Sequence, residues 1–261
     1  MLVAVVPDAL PMLRRTVANL EHFAGIPAGR MLELGIPALD ATLGGGLSHR
    51  ALHEIYPASP IHFGAASGFA LSLAVLAGKA KATLWIQSDF AGRETGFPYG
   101  PGLDLFGLGR ERLLILRVPR AIDALFAMEE ALKCRALSGI VTELTDDGSA
   151  DLTATRRLSL AARDGSTLGL LLRHCPPLAA SAASTRFEIA AAPSRRDGFG
   201  GLGVTTFLLT LVKNRRGSCG RWTICWDHHD HVFLTAAPSL GLASTAGDRP
   251  DRTGLPVARA G

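Results

Sequence analysis

Hydrophobic positions along this chain follow two different spacings. Residues 10–24 place apolar side chains at steps of three and four, which is the spacing of one face of an amphipathic helix. A Gly- and Pro-rich passage follows, and then short apolar runs alternate with longer helical patterns. This alternation is typical of βαβ units, in which helical crossovers join parallel strands. The first helix has an apolar stripe made of Leu10, Leu13, Val17 and Leu20.

The alternating region predicts a mostly parallel sheet with helices packed against it. The predicted strands are residues 51–56, 83–87, 113–118, 139–144 and 168–173, and the predicted helices are 65–79, 119–137 and 151–163. From residue 184 onward only strand-like runs occur, at 186–191, 204–212, 221–226 and 231–234. Because no helix separates them, we expect antiparallel strands that extend the sheet.

These patterns divide the chain into three parts. Residues 1–30 hold the amphipathic helix and a linker, residues 31–237 form the α/β core, and residues 238–261 have turn formers without periodicity, which predicts a disordered tail. The apolar stripe of the first helix has no obvious place on the sheet. We therefore expect it to bind a partner, with packing against its own core as the alternative.

Composition restricts the compartment and the class of partner. We find no apolar stretch of the roughly 20 residues that a membrane span requires, and Pro7 and Asp8 interrupt the apolar N-terminus. Four cysteines without a C-x-x-C pair argue against a disulfide scaffold and favour a reducing cytoplasm. The net charge of +4 suits an acidic partner such as nucleic acid, or it reflects scattered solvated arginines.

A glycine-rich segment precedes the strand 51–56. The sequence GIPALDATLGGG at 35–46, followed by ALHEIYP at 51–57, resembles the segment that leads into the phosphate loop of RecA-type ATPases. The following residues, 58–70, lack the lysine and the metal-binding hydroxyl of that loop, and Phe69 stands where lysine would be. We therefore expect no ATP hydrolysis and no ATP cofactor. Gly64, Ser67 and Gly68 form either a residual nucleotide or anion site or a plain strand-to-helix turn.

Two further groups of side chains invite a metal interpretation. Glu143 ends the strand 139–144, where it either directs a metal beside the residual anion site or lies in an exposed loop. His229 and His231 would share one face of a continuing strand, but residues 227–231 also read as a polar turn. Since no third ligand is identifiable, we predict no metal site.

A basic hairpin is the second strong signal. The pattern K-N-R-x-G-x-x-G resembles a late hairpin of RecA-type ATPases, and the turn lies between two predicted strands. Its cations serve a neighbouring subunit's site, bind DNA phosphates, or keep an edge soluble. The residues assigned to this DNA or subunit interface are Lys213, Asn214, Arg215, Arg216 and Arg221.

Taken together, residues 35–226 resemble the ImuA family of RecA-like proteins. The resemblance also rests on ETGFPYGPGL at 94–103, RRLSLAA at 156–162 and STRFEIAAAPS at 184–194. It implies a RecA-like fold with a degenerate phosphate loop and a non-catalytic role in translesion DNA synthesis during the SOS response. The implied partners are an ImuB-like relative of the Y-family polymerases, RecA or another RecA-like protein and, indirectly, an error-prone C-family polymerase. The alternatives are a SulA-like cell-division inhibitor and an active RecA-like DNA-dependent ATPase.

Overall fold

The computed structural model describes residues 30–236, apart from 79–80, 135, 146–147, 166, 177–179 and 195–202. The predicted N-terminal helix, with Leu10, Leu13, Val17 and Leu20, lies outside the described residues. The predicted tail from residue 238 onward also lies outside them. The division of the chain into three parts therefore stays a prediction.

Eleven strands and six α-helices make up the described chain. The strands are β1 (Met31–Leu32), β2 (Leu47–Ser48), β3 (Leu52–Pro57), β4 (Ala82–Ser88), β5 (Leu113–Val118), β6 (Leu137–Leu144), β7 (Leu168–Arg173), β8 (Thr185–Ala191), β9 (Thr205–Asn214), β10 (Gly220–Asp227) and β11 (Val232–Thr235). The helices are α1 (Pro37–Leu43), α2 (Phe63–Ala77), α3 (Asp89–Thr95), α4 (Gly100–Phe106), α5 (Ala121–Leu132) and α6 (Leu152–Asp164).

Nine of the strands form one sheet in the order β11-β10-β9-β8-β3-β7-β6-β4-β5. The six strands β8, β3, β7, β6, β4 and β5 run parallel to one another. The pairs β8–β9, β9–β10 and β10–β11 are antiparallel. Strands β1 and β2 form a separate two-stranded sheet. The predicted mostly parallel sheet, flanked by helices and extended by C-terminal antiparallel strands, is confirmed.

Helices cover both faces of the sheet. Helix α2 packs on one face, where Phe69 meets Phe187 and Phe207 with ring centres 5.6 and 6.0 Å apart. Helices α5 and α6 form the other layer, whose core includes Met128 and Leu158. Every residue of β7 is buried, which accounts for its unbroken run of leucines.

Helix α2 is unusually apolar in composition. By length and composition alone, the window Pro60–Ala77 is apolar enough to cross a membrane, whereas the sequence predicted no such stretch. In the fold this window is 56% buried, and α2 packs against β3, β6, β7 and β8. Its apolar composition therefore matches its place between the sheet and α4.

The predicted helix 119–137 is too long at both ends. Pro119 lies before the helix, and Arg120 occupies the position that precedes its first turn. At the other end the helix stops at Leu132, because Leu137 already pairs with Ala82 in the sheet. Leu137, which seemed to extend the helix, is instead the first, buried residue of β6. Strands β1 and β2 and helices α3 and α4 were not predicted.

A buried ion cluster ties the three central strands β7, β3 and β8 together. Glu54 is completely buried, and its Oε1 accepts a hydrogen bond of 3.0 Å from Arg173 Nη2. Its Oε2 accepts one of 2.8 Å from Arg186 Nε. Arg173 also donates to the carbonyl oxygen of Ala150. The carboxylate thus has charged donors on both oxygens, which buried charges require.

Candidate functional site

A cavity of about 380 Å³ opens where β4 and β6 end. In open α/β sheets, the carboxyl edge of parallel strands is where ligands usually bind. Helices α2, α3 and α4 complete its wall. The lining residues are Phe63, Gly64, Ser67, Gly68, Leu71, Trp85, Gln87, Thr95, Gly96, Phe97, Pro98, Tyr99, Gly102, Leu103, Phe106 and Glu143.

The cavity brings together the four residues that we assigned to a nucleotide or anion site. Gly64, Ser67 and Gly68 lie on the first turns of α2, and Glu143 reaches the same space from β6. A side chain at position 68 would start 2.9 Å from Cζ of Phe106, so glycine allows α4 to approach α2 closely. The four residues thus line one cavity, and their assignment to a nucleotide or anion site stays a prediction.

Phe69, which stands where a phosphate loop has its lysine, faces away from the cavity. Its ring is completely buried and contacts Phe187, Phe207 and Phe233 in the core. Among the described residues that line the cavity, none is Lys, Arg or His. The nearby Arg117 lies 4.5 Å above the ring of Phe97 and forms an ion pair with Asp89.

Glu143 is the acid of the cavity, and four donors surround it. Oε1 lies 2.6 Å from the Thr95 hydroxyl and 2.8 Å from His174 Nε2. Oε2 accepts hydrogen bonds from Gln87 Nε2 at 3.0 Å and from Trp85 Nε1 at 3.3 Å. These contacts use the lone pairs of both oxygens, so the side chain is a fixed acceptor within the wall.

Sequence reasoning missed most of this network. It gave no role to His174, Trp85 or Gln87, and it used the segment around Thr95 only as a family signature. A signal existed in the strand register: Gln87 pairs directly with Glu143 across β4 and β6. Trp85 is two residues before Gln87 and shares its face of the sheet. Predicting these contacts required the order of strands, which the sequence pattern alone does not supply.

The basic hairpin lies at the opposite edge of the sheet. Asn214, at the end of β9, pairs with Thr185, at the start of β8, and β8 runs parallel to β3. The β9–β10 turn therefore emerges at the amino edge of the parallel strands. The cations of this turn therefore lie at the end of the sheet opposite the cavity. If they contact a nucleotide, that nucleotide is bound by another subunit.

The cations of the hairpin differ in their surroundings. Arg215, Arg216 and Arg221 are exposed. Lys213 is partly buried, and its Nζ donates a hydrogen bond of 2.5 Å to the carbonyl oxygen of Ser181. Burial, reinforced by nearby arginines, lowers the pKa of Lys213. The exposed positive surface is therefore formed by arginines, and Lys213 is mainly turned into the protein.

Asn214 organises the tip of the hairpin. Its Oδ1 accepts a hydrogen bond from the backbone N–H of Arg216 at 3.0 Å. Its Nδ2 donates to the carbonyl oxygen of Ser218 at 3.0 Å and to that of Thr42 at 2.9 Å. Gly217 passes close to the carbonyl group of Thr42, because a Cβ added at Gly217 would lie 2.8 Å from the Thr42 carbonyl oxygen. Contacts to α1 thus fix the turn that presents the arginines.

The histidine-rich segment forms the β10–β11 turn. Asp227 Oδ1 accepts the backbone N–H groups of His229 and Asp230, and these two hydrogen bonds are the main cause of its lowered pKa. His228 bridges Leu105 and Thr205. In the described part of the chain, no group of three His, Cys, Asp or Glu side chains is arranged to hold a metal. The segment serves as a turn packed beside α4.

No family model matches the chain. Two curated proteins named Protein ImuA, from Caulobacter vibrioides strains NA1000 / CB15N and ATCC 19089 / CIP 103742 / CB 15, are each 29% identical to it over 213 residues. The alignment covers 74% of this chain and 82% of each relative. The expected resemblance to the ImuA family is therefore confirmed, since the chain is a homologue of Protein ImuA over most of its length.

Proposed function

We propose that this chain is a RecA-like accessory protein of SOS-induced translesion DNA synthesis and acts through contacts rather than catalysis. Its similarity to proteins named ImuA supports a part in the ImuA/ImuB mutagenesis system. The same similarity favours this role over that of a SulA-like division inhibitor. The mostly parallel sheet with a candidate site at its carboxyl edge is compatible with a RecA-like core.

The charge of the cavity is the observation that carries the non-catalytic part of the proposal. Phosphoryl transfer needs cations that neutralise the charge developing on the phosphates. The described residues that line the cavity provide none, and Phe69 occupies the lysine position while pointing into the core. Glu143, the candidate metal-directing acid, already accepts four hydrogen bonds. Bound ATP would therefore meet a carboxylate in the wall and no cationic side chain among the described lining residues.

The position of the arginines supports action through partners. Arg215 and Arg216 lie at the amino edge of the sheet, away from the cavity of their own chain. They are available to DNA phosphates or to an acidic surface of an ImuB-like protein, RecA or another RecA-like subunit. An error-prone polymerase of the C family would then be recruited indirectly. We place this activity in the cytoplasm, where such a complex meets damaged DNA.

Deletion of the gene in its host tests the cellular role. After ultraviolet irradiation, the frequency of induced mutations should fall to the level of unirradiated cells, and the wild-type gene should restore it. Cell length after damage is measured in parallel. Unchanged mutagenesis together with loss of damage-induced filamentation would contradict the proposal and support the division inhibitor.

Release of phosphate from ATP tests the non-catalytic part. The full chain, assayed with Mg²⁺ and single-stranded DNA, should release no more phosphate than a Ser67→Ala variant. Turnover near 1 s⁻¹, the low end of typical enzymes, that is lost in this variant would show an active ATPase. The Ser67→Ala gene should also restore mutagenesis in the deletion strain as fully as the wild type.

A further inference from the structure

The basic turn between β9 and β10 continues into a longer positive surface. Nη1 of Arg216 lies 3.2 Å from the sulfur of Met31, and Arg30 precedes Met31 in the chain. The carbonyl oxygen of Arg30 accepts a hydrogen bond of 3.0 Å from the backbone N–H of His49. His49 lies three residues before β3, at the amino edge of the parallel strands. These contacts join the turn at the end of β9 to the segment that precedes β3.

Three more cations surround this segment. His49 is buried, and its pKa is lowered to about 4 by burial and, to a smaller extent, by the positive charges of Arg30 and Lys81. Lys81 is exposed and lies directly before β4. Nε of Arg50 donates a hydrogen bond of 2.6 Å to the carbonyl oxygen of Arg163, in the last turn of α6. The amino edge thus has a basic belt, which we define as Arg30, Arg50, Lys81, Arg163, Arg215 and Arg216.

The arginines of the belt are not neutralised by the protein. Within the part of the chain that the structure describes, none of them forms an ion pair with a carboxylate, although Glu33 and Asp164 lie on the same segments. By contrast, Arg117, Arg120 and Arg157, on the flank formed by β5, α5 and α6, are each paired with an acid. Neighbouring cations without counterions repel one another, and a bound polyanion would relieve this repulsion.

The shape and composition of the belt favour a nucleic acid over an acidic protein. From β9 to β4 the sheet has five inter-strand spacings of about 4.8 Å, so the belt follows the edge for roughly 24 Å. A nucleic-acid strand has a charge about every 3.4 Å along its helix axis, so several phosphates fit this length. A protein interface has aromatic anchors at its centre. The exposed aromatic rings of the described residues lie on α3, before α4 and on α5, outside the belt: Phe90, Phe97, Tyr99 and Phe126.

We propose that the basic belt binds the phosphodiester backbone of a nucleic-acid strand, independently of base sequence. The guanidinium groups donate paired hydrogen bonds to phosphate oxygens, and each neutralised phosphate releases condensed counterions. The binding rests on the proposed function for its cellular setting, and it adds Arg30, Arg50, Lys81 and Arg163 to the arginines of the turn. It is measured on the purified chain, so it and the role in mutagenesis can fail separately.

A double variant outside the turn tests the added part of the belt. The side chains of Arg30 and Arg163 form no hydrogen bond with described residues, so Arg30→Gln with Arg163→Gln should keep the wild-type melting temperature. Fluorescence anisotropy of a labelled oligothymidine and of a labelled duplex of equal length, over a series of salt concentrations, measures binding. The slope of log affinity against log salt should fall by about 1.4 for the single strand and about 1.8 for the duplex. The tighter of the two ligands identifies the source of the backbone.

A matched control separates the belt from net charge. Arg93 and Arg156 are exposed arginines on α3 and on the first turns of α6, towards the carboxyl edge. Arg93→Gln with Arg156→Gln removes the same two charges and should leave the slope unchanged. Combining Arg30→Gln and Arg163→Gln with alanine at both arginines of the turn tests whether the belt is one surface. The slope for the single strand should then fall by about 2.8.

Three results would overturn the proposal. The first is the absence of saturable binding of the wild type to either nucleic acid. The second is a fall in slope that is equal in the belt variant and in the control, which shows only an effect of net charge. The third is an unchanged slope in the folded belt variant, and loss of an ImuB-like partner in the same variant would assign the belt to an acidic protein surface. Normal DNA binding together with unchanged mutagenesis in the deletion strain would instead refute the proposed function and leave the belt in place.

Discussion

Replacement of Glu54 by glutamine should be among the most destabilising single changes in the core. Glu54→Gln keeps the shape of the side chain but leaves Arg173 and Arg186 without their shared carboxylate. The side chain of Arg173 is only 3% exposed, so water cannot replace the lost partner. Breaking a buried ion pair by removing one member costs about 3–5 kcal/mol in the free energy of unfolding.

For a chain of this size, that loss corresponds to a fall in melting temperature of roughly 6–20 °C. Thermal and urea unfolding followed by far-ultraviolet circular dichroism measures both quantities. Asp123→Asn is the matched control, because it breaks an exposed ion pair with Arg120 on the surface of α5 and should leave the melting temperature unchanged.

A triple variant separates the cost of unpaired charge from the cost of lost packing. Changing Glu54, Arg173 and Arg186 together to methionine removes the charges and keeps most of the volume. It should recover much of the stability that Glu54→Gln loses, since apolar replacements of buried ion clusters are often neutral. A free energy of unfolding for Glu54→Gln within about 1 kcal/mol of the wild-type value would contradict this prediction. A triple variant less stable than Glu54→Gln would also contradict it.

Two further predictions concern titration and DNA binding. Burial lowers the pKa of His53 to about 4, below its unfolded value of 6.5, so stability is fully present above pH 6.5 and is lost as pH falls towards 4. Over that range the free energy of unfolding should fall by about 3 kcal/mol more in the wild type than in His53→Gln, measured by urea unfolding, and parallel curves would contradict this. Alanine at Arg215 and Arg216 should reduce the slope of log affinity for single-stranded DNA against log salt by about 1.4, whereas exposed Arg120→Ala should not. An unchanged slope together with unchanged partner binding would leave the hairpin only a solubilising role.

The sequence pattern predicted the inner strands well because β3, β6 and β7 are buried on both faces. Strands β5 and β7 begin and end at the predicted residues, since their apolar runs are bounded by polar or turn-forming positions. Helices α3 and α4 were missed because each has only seven residues, which is about two turns and too few to show a period. Helix α4 also begins with Gly-Pro-Gly, a sequence typical of turns.

The candidate site was only half predicted for a related reason. Gly64, Ser67 and Gly68 follow one another on α2, so a motif could identify them together. Glu143 could be placed at a strand end, but its partners come from β4, α3 and the residue after β7. Contacts among such distant segments depend on strand order and on helices too short to predict. A motif therefore locates the helix of the site but not the opposite wall.

The two ends of the parallel strands, the carboxyl edge and the amino edge of the sheet, have different surfaces. At the carboxyl edge, Phe69 points into the core, and the cavity has no cationic side chain among its described lining residues. At the amino edge, Asn214 fixes a turn whose arginines remain exposed and suit an acidic partner. The buried cluster around Glu54 joins the strands between these edges. Because substitutions at either edge leave this cluster intact, they should alter the cavity or the basic turn without unfolding the protein.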